Sequence, residues 1–88
     1  MKELNHYMKI THWLHVHAKR FESGTVFFRA YLRWRDYTEE DIYVRGFASV
    51  EAMMEVQRGL GGHIHEAMGR FAQWTEDSDR SSGREATA

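Results

Sequence analysis

Cysteine is absent from the 88-residue sequence. That excludes a disulfide framework and fits a reducing compartment, so the chain is expected in the cytoplasm. Proline is also absent, which excludes nothing over this length. No apolar run is long enough to span a bilayer and no signal-peptide pattern opens the chain, so no membrane partner is expected. Net charge is nearly absent too, at −1. Setting aside residues 76–88 leaves ten basic and nine acidic residues, too balanced for an obligate DNA binder or for an acidic DNA mimic.

What is plentiful is alternation. In Lys9–Arg20, Ile10, Leu14, Val16 and Ala18 share one side with His12, while Trp13, His15, His17 and Lys19 share the other. Glu22-Ser23-Gly24 reads as a turn. Thr25–Arg35 then alternates again, with Val26, Phe28, Ala30 and Leu32 opposite Phe27, Arg29, Tyr31, Arg33 and Arg35. Strand side chains repeat every two residues, so this predicts a hairpin with one aliphatic face and one face of aromatics and arginines. The second face has the composition of a binding surface.

The predicted strands run from Met8 to Phe21 and from Thr25 to Arg35, with residues 1–7 a frayed start or a strand extension. Asp36–Glu40 reads as a second turn. Asp41–Phe47 predicts a further strand, with Ile42 and Val44 inward and Asp41, Tyr43 and Arg45 outward. Ser49 is the predicted N-cap of a helix whose stripe is Val50, Met53, Met54, Gln57 and Leu60. Gly61-Gly62 breaks it, and a second helix is predicted from His63 to Trp74. The fold class is therefore α+β: an antiparallel meander of three to four strands with two short C-terminal helices on its aliphatic face. Residues 1–75 form the single domain, and the polar residues 76–88 are expected to be a disordered tail.

Six histidines raise the question of a metal. His15 and His17 share a strand face, but His12 points the other way, and His63 and His65 lie about 200° apart on a helix. No metal site and no cofactor are expected. No nucleophile sits beside a histidine and an orienting acid. The glycines at 59, 61 and 62 lack a phosphate-binding loop's strand and lysine, so no enzyme is expected.

Three segments carry a resemblance to a known family. Phe21-Glu22-Ser23-Gly24 is similar to a Tyr-Glu-Asn-Gly hairpin turn. Phe47-Ala48-Ser49-Val50-Glu51 is similar to a Phe-Asp-Ser-Thr-Glu start of a first helix. Gly62-His63-Ile64-His65-Glu66-Ala67-Met68 is similar to a Gly-Arg-Ile-Glu-Asn-Ala-Met start of a second. In this order the chain resembles the small anti-CRISPR proteins of bacteriophages and other mobile elements. The likeness is to the member with a four-stranded sheet and two helices that inhibits the type I-F surveillance complex.

The resemblance implies a bacterial host cytoplasm and a Cas protein subunit of a type I effector complex as partner. It also implies that a sheet face docks on the subunits that hold the guide RNA, blocking target DNA recognition. The family's contacting tyrosine corresponds to Phe21. A contacting glutamate falls near Tyr31, where this chain has no carboxylate. The expected partner-binding residues are Trp13, His15, His17, Phe21, Phe27, Arg29, Tyr31, Arg33, Tyr43 and Arg45. The alternatives are a small RNA- or DNA-binding module using the same face, and a homodimer that buries it.

Overall fold

The computed structural model describes residues 2–87, with side chains through Ser81. Strands β1 (Leu4–Lys9), β2 (Leu14–Arg20), β3 (Val26–Arg33) and β4 (Glu39–Phe47) form one antiparallel sheet in chain order. Helices α1 (Val50–Gln57) and α2 (Gly62–Thr87) follow and pack on one face. This is the α+β meander that the alternation predicts.

Between the layers lie Met8, Leu14, Val16, Ala18, Val26, Phe28, Ala30 and Phe47 from the sheet, and Met53, Ala67, Met68 and Phe71 from the helices. Each large apolar side chain buried this way contributes roughly 1.5–3 kcal/mol. Ser49 caps α1, its Oγ accepting from the Ala52 amide at 3.0 Å. The turn after β2 also forms as read: the Gly24 amide donates to the Phe21 carbonyl at 2.9 Å, and Gly24 sits at φ 96°.

Four local expectations need correction. The predicted strand Met8–Phe21 is two strands, because the chain reverses at 10–13, where the Thr11 hydroxyl accepts from the Leu14 amide at 3.0 Å. A threonine here does the work usually signalled by glycine, asparagine or aspartate. Residues 4–7 accordingly belong to a strand of their own.

The third predicted strand is present, with Asp41 outward as read, but its faces are exchanged after Asp41. Ala30 pairs with Tyr43 and Tyr31 with Asp41, so Ile42 is the extra residue of a bulge. One extra residue reverses the alternation beyond it. Tyr43 therefore turns inward and meets the Phe28 ring edge-on at 5.9 Å, whereas Ile42 and Val44 are about half exposed, at 49% and 48%.

The second helix does not stop at Trp74. Its apolar stripe ends there, but Gln73 donates to Asp77 at 3.1 Å and Arg80 pairs with Glu76 at 2.9 Å, supporting further turns. Residues 76–87, expected as a disordered tail, are helical, and Ala88 lies outside the described residues. One tertiary bond reinforces the extension. Arg20, the buried end of β2, donates through both terminal nitrogens to Asp79, at 2.8 and 2.7 Å.

Candidate functional site on the outer sheet face

With the helices on one face, the residues between the buried positions define the other. Strand register arranges them in rows: Asn5, Lys19, Phe27 and Gly46; Tyr7, His17, Arg29 and Val44; Lys9, His15, Tyr31 and Asp41. Trp13 and Glu39 flank Arg33 at the end of the face. Of the ten residues expected at the site, Trp13, His15, His17, Phe27, Arg29, Tyr31 and Arg33 share this face. Phe21 lies at its rim, with Lys19 4.7 Å above its ring. Tyr43 and Arg45 do not join them, because the bulge at Ile42 turns both toward the helix side, where Arg45 lies over Phe47 at 5.2 Å.

The centre of the face is an aromatic stack. The His15 ring lies against Tyr31, with centroids 5.6 Å apart and planes 18° from parallel, and its Nδ1 shares a hydrogen bond with the Tyr7 hydroxyl. Arg29 covers the other side of the assembly, its guanidinium carbon 4.1 Å from the Tyr31 centroid, and Arg33 approaches at 5.8 Å. These neighbours leave His15 and Tyr31 only 6% and 4% exposed, although they lie on the outer face. Burial holds the His15 pKa below the ordinary imidazole value, with the positive charges of Arg33 and Lys9 acting in the same direction. Burial likewise raises Tyr31.

Arg29 and Arg33 are not free cations. Arg29 donates to Asp41 at 2.6 Å and to Glu39 at 3.3 Å, and Arg33 donates to Glu39 at 3.2 Å. These bonds hold the Glu39 carboxyl below its usual range. The cross-strand partner of Tyr31 is Asp41, so β4 supplies a carboxylate where β3 has none.

His17 donates from Nε2 to the Asn5 side chain at 2.8 Å. Among the described residues no three metal-ligating side chains converge. No helix among them is long and apolar enough to cross a membrane.

Sequence reasoning missed Tyr7, because residues 1–7 read as either a frayed start or a strand extension, with no face assigned to them. Asn5, Tyr7 and Lys9 do alternate with Leu4, His6 and Met8, a signal of the same kind as in β2. It also missed the carboxylate brace, since the pairing of Glu39 and Asp41 with arginines on β3 depends on the shifted register.

The molecule thus presents a four-stranded sheet with a charged and aromatic face suited to binding a protein or another ligand. Comparison with protein-family models, with curated proteins and with solved structures finds no match.

Proposed function

We propose that the chain inhibits a type I CRISPR-Cas effector complex by docking its outer sheet face on a protein subunit, thereby blocking target DNA recognition. It acts by occlusion, without turnover or cofactor. The observation that carries the choice of a protein partner is the bracing of Arg29 and Arg33 by Glu39 and Asp41. A phosphate backbone would have to displace these carboxylates, and the face releases few counterions. A protein surface can instead use the aromatic edges and the paired charges directionally.

The strand and helix order agrees with the resemblance of the three sequence segments. The carboxylate that the family places near Tyr31 has an equivalent in Asp41, delivered from the neighbouring strand.

The test uses purified type I effector complexes, labelled target DNA and increasing amounts of this protein. Target binding should be lost in proportion to the inhibitor added. Phe21 and Phe27 are the variants of choice, being 38% and 37% exposed, whereas Tyr31 is buried and its removal would disturb the sheet. The Phe21→Ala, Phe27→Ala double variant should keep its fold and lose at least about tenfold in inhibition, or about 1.4 kcal/mol. Undisturbed DNA binding by every type I complex tried would reject the proposal. A steep loss of binding with salt would favour the nucleic-acid alternative.

A further inference from the structure

We propose that the end of the sheet where Trp13 and Trp34 meet is a slot for a proline-rich segment of another protein. This site is distinct from the centre of the outer face, and the proposal does not depend on the CRISPR assignment. The two indoles come from different loops, Trp13 from the turn before β2 and Trp34 from the turn after β3. Their centroids are 6.2 Å apart and their planes diverge by 37°. Arg35, Asp36 and Thr38 complete the walls of the cavity they frame. Trp34 is 44% exposed, a large apolar surface left open to solvent. The Arg33 amide donates to the Trp13 carbonyl at 3.0 Å, which ties one loop to the other.

The chemistry of the rim selects the occupant. Arg35 lies 5.9 Å from the Trp13 centroid and, among the described residues, has no ion-pair partner. The indole N–H groups are donors only. One oxygen of the carboxylate at the rim is engaged within the loop: Asp36 Oδ1 accepts from the Thr38 amide at 3.1 Å and from the Thr38 hydroxyl at 2.7 Å. These bonds lower the Asp36 pKa, so it stays ionised beside Arg35 and the pair is neutral overall.

A ligand that matches the indole donors and the balanced rim charge has apolar rings, carbonyl acceptors and no net charge. A polyproline II segment has all three properties, and its preformed helix loses little entropy on docking against aromatic walls. A nucleic-acid strand fits less well, because Asp36 repels phosphate and a single arginine attracts it only weakly.

The test is titration of the protein with a capped octaproline peptide, following the indole N–H resonances and tryptophan emission. A saturable shift of both indole signals is expected, with none from a glycine-serine peptide of equal length. Trp34→Ala should weaken binding at least about tenfold while leaving the thermal midpoint nearly unchanged. Arg35→Ala, which leaves both rings in place, should weaken it less. The proposal is overturned by the absence of a saturable shift in the wild type at millimolar peptide. Equal binding by Trp34→Ala overturns it as well, and so does tighter binding of an oligothymidine strand than of the peptide.

Discussion

Two hairpin loops in this molecule are built alike and filled differently. In the loop after β2, the Phe21 amide donates to Thr25 and the Gly24 amide to Phe21, each at 2.9 Å. In the loop after β3, the Trp34 amide donates to Thr38 and the Tyr37 amide to Trp34, again at 2.9 Å. Both are three-residue loops whose last residue takes a left-handed conformation. Glycine occupies that position in one, at φ 96°, and a tyrosine 84% exposed occupies it in the other, at φ 67°. A side chain there costs about 1–2 kcal/mol. The first loop is filled for stability. The second tolerates strain at the aromatic end of the sheet, beside the Trp13–Trp34 slot.

The surroundings sharpen the contrast. The first loop is anchored from outside the sheet, since Arg20 at its base is held by Asp79 of α2. Removing that anchor should have the largest effect. Asp79→Ala leaves a guanidinium that is only 3% exposed without its carboxylate. Because Asp79 itself is 46% exposed, the loss is discounted from the fully buried case to about 1–3 kcal/mol. Urea denaturation should show it, and truncation after Thr75 should do at least as much harm. An unchanged midpoint would mean that the end of α2 does not contribute to the fold.

Next in size is Gly24→Val, which should lower stability by roughly 1–2 kcal/mol through a β-branched residue at positive φ. The reverse change in the other loop, Tyr37→Gly, should raise stability by about 1 kcal/mol, or roughly 4–8 °C in midpoint. If both substitutions destabilise alike, the two loops are not equivalent and the strain at Tyr37 is relieved by something other than backbone conformation.

The smallest expected difference is the response to acid. His15 titrates below the free imidazole value of 6.5, so the native state binds fewer protons than the unfolded state as the pH falls. The stability it contributes is full above pH 6.5 and is lost as the pH falls through its lowered pKa. His6, sandwiched on Trp74 at 4.2 Å, has its pKa lowered by burial and by Arg70 and acts in the same sense. The Asp79 carboxyl, held below its ordinary range by Arg20, keeps the first loop's anchor until much lower pH. Thermal midpoints measured downward from pH 7 should therefore fall first through the histidines. A His6→Phe, His15→Phe variant should flatten the slope just below pH 6.5 and keep the later fall in the carboxylate range. An unaltered slope would assign the titration to other groups.

The alternation in β2 and β3 was legible because each strand buries one face and exposes the other, which writes a period of two into the sequence. Gly24 and Ser49 were legible for a similar reason: a positive φ and an unpaired helix amide each demand particular residues. The reversal at Thr11 was not, since the alternation runs through it without a break. The extension of α2 was also hidden, because beyond Trp74 the helix no longer buries an apolar stripe.

By itself, then, the sequence determined the class of fold, the aliphatic and aromatic faces of the central hairpin, and the helix starts. These depend on local periodicity and on the needs of single backbone positions. Only the tertiary structure decided which way Tyr43 and Arg45 point, that Glu39 and Asp41 brace the arginines, and that Asp79 anchors Arg20. Each of these follows from pairing between segments distant in the chain, where one bulged residue or one helical turn changes the partner without changing the local pattern.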